Sequence, residues 1–418
     1  MTLIKPAAVP AGAGPAPAAR RIPLWAWFVV GFTLLALARV ISGAHELDSA
    51  GTLHEAINSM MPVMLAALAG LWSERAGVVN IGLEGMMILG TLGAGYFGYY
   101  HGPWVGLLGA IAFGAVGGLL HALAAVVFAV DHIVSGVAIT IMAGGAAAFL
   151  SEVWFTNVPG GGQSQSPRVE APRAISVDAI ADWAADLQGH HWFLISDLGS
   201  VLGALTRNLS TLVLVSVALV LMSAWVLWRT TFGLRLRSCG ESPAAAETLG
   251  VPVRRYKFIA VVISGGIAGA AGGFLVLVSS GLFLTGQTQG RGYVGLASMI
   301  FGNWRPGGLV AGAGLFGYTD ALQLRAGGGA VRALLIILAL AFLALGFRKY
   351  RRGHALIAGL LAAIGLAFAV WFFVSDAVPD DFTKMTPYVA TLLVLALATQ
   401  RLRMPAADGQ PYRKGQTE

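Results

Sequence analysis

Charge and cysteine are scarce in this chain. Only 11% of its 418 residues are charged, whereas a soluble domain carries about 25%, so a water-soluble globule is excluded. The single cysteine, Cys239, excludes an intramolecular disulfide and any cysteine-based metal cluster. The five lysines, at positions 5, 257, 349, 384 and 414, each follow a residue other than glycine. No Gly-Lys-Ser/Thr loop is therefore present to wrap the phosphates of ATP. The His-Glu-x-x-His and Gly-x-Ser-x-Gly patterns are missing as well, which leaves zinc-dependent and serine-dependent hydrolysis without a visible home.

What the chain has instead is apolar sequence. Hydrophobic residues make up 56% of it, and the 56 glycines sit inside apolar runs without a collagen period. A spanning helix needs about 20 apolar residues. The runs at 24–42, 56–72, 81–100, 103–130, 133–155, 209–228, 258–284, 331–347, 355–374 and 386–402, with a broken pair at 293–302 and 307–324, predict the class. It is an all-α, polytopic integral membrane protein with ten to eleven transmembrane helices plus a re-entrant or broken pair. Ten residues from Tyr293 to Gly302 make a helix of only about 15 Å, half a bilayer, so this arm is expected to enter and turn back at Asn303-Trp304-Arg305-Pro306.

Basic residues set the orientation. With the amino-terminal tail inside, 19 of the 27 Lys and Arg fall on inner segments, so both termini are expected in the cytoplasm. The net charge of +7 is spread between apolar runs and forms no patch, which argues against nucleic acid as a partner. The Ala/Pro-rich stretch 1–23 is expected to be a disordered cytoplasmic tail, 24–402 the membrane domain and 403–418 a second cytoplasmic tail. Leu24–Ser42 is read as an uncleaved anchor. An outer insert, 156–207, carries a short amphipathic helix with Val177, Ile180, Ala184 and Leu187 on one side and Asp178, Asp182 and Asp186 on a solvated face. An inner loop, 229–257, holds six basic residues.

The densest motif is Glu74-Arg75-Ala76-Gly77-Val78-Val79-Asn80-Ile81-Gly82-Leu83-Glu84-Gly85-Met86-Met87. Asn80 and Glu84 are four apart and are expected on one helix face inside the membrane boundary, where a carboxylate costs about 2.5 to 3.5 kcal/mol. The compensation is either a polar site on a translocation path or a structural bond to Arg75 or to a neighbouring helix end. Ser238 to Gly250 predicts one short helix with an alanine-rich core and a terminal glycine. Its exposed alanine ridge suits a partner's groove, and Cys239 at its entrance is expected to be reachable from the cytosol. Asp131 and His132 are either a proton relay or ordinary loop charges. Asp320 and Gln323 either meet solute or, for Asp320, pair with Arg325 or Arg332. Phe301, Trp304 and Phe316 either stack on a base or pack into core and lipid. Gly312-Ala-Gly314-Leu-Phe-Gly317 matches the dinucleotide fingerprint only in letters, because it lies in an apolar helix. There, like Gly114/Gly118 and Gly265/Gly269/Gly273, it permits close helix approach.

The Glu74–Met87 stretch resembles the nucleoside-type branch of the membrane permeases of ATP-driven, binding-protein-dependent importers of simple sugars, branched-chain amino acids and nucleosides. The similarity runs from about Met60 to Leu324. It includes Val134-Ser135-Gly136-Val137-Ala138, the segment Gly240-Glu241-Ser242-Pro243-Ala244-Ala245-Ala246-Glu247-Thr248-Leu249-Gly250-Val251, and the pair Gly290-Arg291-Gly292-Tyr293-Val294 and Phe301-Gly302-Asn303-Trp304-Arg305-Pro306. Thr140 stands where the branch carries an asparagine. The resemblance implies a permease in a bacterial plasma (inner) membrane that works by alternating access and catalyses no bond change. Its translocation-path candidates are Asn80, Glu84, Ser135, Thr140 and Asn303, and its ATPase-coupling residues are Glu241, Pro243, Ala245, Ala246 and Gly250. The implied partners are a second permease, homologous or identical, a cytoplasmic ATPase with two nucleotide sites and a periplasmic or lipoprotein solute-binding protein. ATP and Mg would sit on that ATPase, and this chain itself would bind no cofactor. Two rivals are a proton-coupled secondary transporter using Asp131, His132 or Glu84, and a membrane transferase for lipid-linked sugars.

Overall fold

The computed structural model describes residues 24–379 except 191, 193 and 326, together with 381–383, 385–386, 389, 402–413 and 415. The 1–23 tail and nearly all of the expected 386–402 span lie outside the described residues.

Apolar periodicity, punctuated by Gly, Pro and Ser, resolves into fifteen helices among the described residues. They are α1 Leu24–Ser42, α2 Ala50–Arg75, α3 Leu83–His101, α4 Pro103–Ala122, α5 His132–Phe155, α6 Asp178–Gly189, α7 Ile195–Thr206, α8 Thr211–Arg229, α9 Thr231–Glu241, α10 Pro243–Thr248, α11 Val253–Phe274, α12 Arg291–Phe301, α13 Pro306–Arg325, α14 Gly327–Tyr350 and α15 Ala355–Val374. Wider turns at Leu123–Val127 and Leu275–Ser280 prolong α4 and α11. Seven of the described helices are long and apolar enough to cross a membrane: α2, α4, α5, α8, α11, α14 and α15, with α4 and α11 counted with their extensions. Side chains close the helix starts: Ser49 accepts from the Thr52 amide, Asp131 from those of Ile133 and Val134, and Ser210 from that of Leu212.

The bundle is organised about α2 and α11, whose most apolar stretches are 78% and 83% buried, against 17% for the peripheral α15. Close approach needs residues without side chains. A Cβ on Gly118 would lie 2.7 Å from the Val261 carbonyl oxygen and 3.0 Å from the Gly265 Cα, so the α4–α11 contact is backbone against backbone.

The broken pair is present as read. α12 has eleven residues, and the chain reverses through Asn303 and Trp304, both with positive φ (54° and 52°), before Pro306 opens α13. The outer insert contains the expected helix, α6, with Asp178, Asp182 and Asp186 exposed. Its buried face, however, is Ala181 and Ala184, while Val177 and Ile180 stay exposed. A second helix, α7, was not anticipated. Its Asp197 forms an ion pair with Arg39 of α1 at 2.6 Å, and the same guanidinium meets Asp48 at 3.3 Å. The insert is thereby pinned to the end of α1, and the two-residue strands Ala174–Ile175 and Leu209–Ser210 close its base.

Candidate functional site

The Glu74–Met87 motif is not one helix. α2 stops at Arg75, Gly77 turns the chain at φ +79°, residues 78–80 run without helical bonding, and α3 starts only at Leu83. Asn80 therefore does not share a helix face with Glu84, because glycines at 77 and 82 interrupt the helical pattern. Irregular backbone in a membrane bundle persists only where protein satisfies it. The buried His121 ring is 3.0 Å from the Val79 carbonyl, and Lys257 Nζ donates to the Gly77 carbonyl at 3.2 Å. Asn80 donates to Ser264 Oγ at 3.0 Å, while its own amide oxygen is buried without a partner.

Glu84 stands in the first turn of α3, only 5% exposed. Its two carboxylate oxygens accept the amides of Gly290 at 2.8 Å and Gly292 at 2.7 Å, at the start of α12. One carboxylate thus faces the positive ends of two helices, which offsets burial without an arginine. Of the two structural partners weighed for it, the neighbouring helix end is the one present. Arg75 points elsewhere, donating to the Trp304 carbonyl from both Nε and Nη2 and lying 3.7 Å from Glu241.

Ser135 Oγ is 3.0 Å from His121 Nδ1, so α5, α4 and the 76–82 link converge on one imidazole. Thr140 donates to its own Gly136 carbonyl at 3.1 Å. Asp131 serves as the α5 cap, which leaves its carboxylate occupied by amides. Asp320 pairs with Arg291 at 3.5 Å, and not with Arg325 or Arg332. Phe301 and Phe316 stack on each other with centroids 6.5 Å apart, and Trp304 is buried with its indole N–H donating to Glu74 at 2.6 Å, so these rings face protein. An apolar cleft of 380 Å³ among α2, α4, α8 and α11 has Ser216 as its one hydroxyl-bearing wall residue and touches none of the residues chosen from sequence. Among the described residues, no three His, Cys, Asp or Glu side chains group as metal ligands.

The inner loop also differs from expectation. Ser238–Gly250 is the end of α9 plus a separate six-residue α10, split at Ser242, whose hydroxyl accepts the Ala245 amide ahead of Pro243. Ala246 is buried beneath α10, whereas Ala245, Thr248, Leu249 and Gly250 are exposed, Leu249 at 84%. Cys239 is fully buried among Ala246, Val253 and Tyr412, and burial pushes its thiol up to about 11. The expectation of a reachable thiol is overturned, because α9 turns that side chain into the packing under α10.

The largest omission from the sequence reading is the carboxy-terminal segment 402–413. Arg403 N–H donates to Asn303 Oδ1 at 2.7 Å, and Ala406 N–H to Glu241 at 3.3 Å. Ala407 N–H donates to the Gly240 carbonyl at 2.9 Å, and the Tyr412 hydroxyl to Glu247 at 2.6 Å. Asp408 is buried near Glu74, Arg75 and Lys257. Burial pushes its carboxyl up to about 7, while Glu74, Lys257 and Arg75 pull the other way. Pro405 and Gly409 were the available signal, since turn residues in a short tail mark a defined path.

A family model described as branched-chain amino acid transport system / permease component matches residues 52–345. The guanosine ABC transporter permease protein NupQ of Bacillus subtilis is 32% identical over 362 residues, covering 85% of this chain and 93% of NupQ. The nucleoside ABC transporter permease protein NupC of Lactococcus lactis is 32% identical over 362 residues, covering 84% and 93%. The putative glucose ABC transporter permease protein TsgC13 of Haloferax volcanii is 31% identical over 375 residues, covering 88% and 98%. No solved structure matches the chain. A match across most of the membrane helices, the inner loop and the broken pair makes the chain a member of the branched-chain amino acid transport system permease component family.

Proposed function

We propose that this permease carries nucleosides into a bacterial cell through the inner membrane, with ten to eleven spans and both termini in the cytoplasm. The observation that carries the reading is similarity over most of the chain to NupQ and NupC, permeases named for guanosine and nucleosides. The path candidates are Asn80, Glu84, Ser135, Thr140 and Asn303. Asn80 brings an unpartnered buried amide oxygen beside the link, an acceptor suited to a ribose hydroxyl or a base amine. Glu84 acts by holding the α12 start against α3.

The energy comes from a partner ATPase with two nucleotide sites, which holds ATP and Mg; this chain holds no cofactor. Glu241, Pro243, Ala245, Ala246 and Gly250 build the α10 unit, and its exposed ridge of Ala245, Thr248 and Leu249 meets that ATPase. A second permease completes the pathway, and a solute-binding protein delivers from outside. ATP binding draws the ATPase halves together, α10 moves with them, and the path alternates between its two openings. TsgC13, named for glucose, supports a sugar as the second reading. Vesicles carrying the whole complex are loaded with ATP and offered labelled guanosine against a hundredfold excess of unlabelled solutes. Suppression by nucleosides and not by glucose fits the proposal; suppression by glucose alone overturns the solute.

A further inference from the structure

Residues 402–413 touch three elements: the α12–α13 break through Asn303, α9 through Gly240 and Glu241, and α10 through Glu247. The seat is polar and specific at each point. Backbone amides of Arg403, Ala406 and Ala407 are all consumed, and a buried carboxyl, Asp408, enters the pocket floored by Glu74, Gly77 and Lys257. Tyr412 then lies over Cys239, Ala246 and Val253, the packing that holds α10 to α9 and α11.

A short helix such as α10 has little purchase of its own. Apart from its packing against α9 and α11, its one side-chain bond to another described element is Glu247 with Tyr412. The break at Asn303–Trp304 is where the half-length α12 ends, and α12 is held at its other end by Glu84. A displacement of α10 therefore has a bonded route, through Tyr412 and Arg403, to the foot of α12.

We propose that the carboxy-terminal segment is a coupling strap, which conveys movement of α10 to the α12–α13 break and so ties ATP hydrolysis to the opening of the path. The role rests on the ATP-driven reading given above. It makes Glu247 and Tyr412 positioning residues, acting through the strap and not on solute, and gives the path candidate Asn303 a bond to the strap as well.

The native thiol reports whether the strap is seated, without any solute. In the reconstituted permease–ATPase complex, maleimide labelling of Cys239 is slow. Deleting residues 403–418 uncovers a thiol whose ordinary pKa is about 9 instead of about 11, and labelling at neutral pH is expected to rise roughly 100-fold. Tyr412→Ala, which leaves the chain full length, is expected to give an intermediate rise and decides the matter if the deletion fails to insert. With either variant, ATP hydrolysis persists while solute moved per ATP falls several-fold. Labelling at the wild-type rate in both variants overturns the seat. An unchanged ratio of solute to ATP, or a fall of hydrolysis and transport in the same proportion, overturns the coupling role. A wild-type complex that moves no solute with ATP defeats the functional reading and the coupling role together, and the labelling still reads the seat.

Discussion

Glu84 and Gly292 meet across 208 residues of chain: the carboxylate accepts the glycine amide at 2.7 Å, and a Cβ on Gly292 would fall 2.7 Å from the Glu84 Cα. The start of α12 is thus held on α3 by charge and by the lack of a side chain at once. Glu84→Gln keeps one acceptor but turns an NH2 group toward an amide N–H. A hydrogen bond to a charged group contributes about 1.5 to 3 kcal/mol, so unfolding is expected at a lower temperature and uptake is expected to fall tenfold or more. Wild-type uptake with wild-type thermal stability would remove Glu84 from the account.

Gly292→Ala separates steric fit from charge. The added methyl must push α12 off α3, so loss of uptake comparable to that of Glu84→Gln is expected while the carboxylate is intact. A fluorescence-detected size-exclusion melt alongside uptake checks it. Normal values in both would show that the two helices have room to spare.

Trp304→Phe retains most of the ring volume and deletes the indole N–H that serves Glu74. A buried acceptor left without its donor costs about 1 to 3 kcal/mol, and the expected result is a lower melting temperature of the whole permease. Trp304→Phe paired with Glu74→Gln should recover part of that loss; strictly additive losses would contradict the bond.

Asp408 gives the strap a pH dependence whose sign follows from its surroundings. The free carboxyl titrates near 3.8 and the seated one near 7, with Glu74 and Arg75 of α2 and Lys257 of α11 facing it. Seating therefore takes up a proton: it is strongest below pH about 4 and loosens as pH climbs toward 7. Cys239 labelling in the wild type, divided by that in Asp408→Asn, is expected to rise between pH about 5.5 and about 7.5. A flat ratio over that range would refute the assignment.

Seven helices able to cross a membrane, the broken pair and the α6 helix were legible because apolar runs, Pro306 and period-four aspartates act locally. Asn80 was misplaced because a buried non-helical link is held open by partners distant in sequence, His121, Lys257 and Ser264, which no local pattern reveals. A lone ionisable residue inside an apolar run, His121, was the clue. Cys239 and the strap were missed together, since the tail that covers the thiol begins more than 160 residues after it.

The most direct measurement is the driving force. Sealed vesicles containing the permease and its solute-binding protein, with and without the ATPase, are given labelled guanosine under an ATP supply or under an inward proton gradient. Accumulation only with both ATPase and ATP, unaffected by collapsing the gradient, is the expected result. Accumulation that follows the proton gradient in vesicles lacking the ATPase would contradict the account.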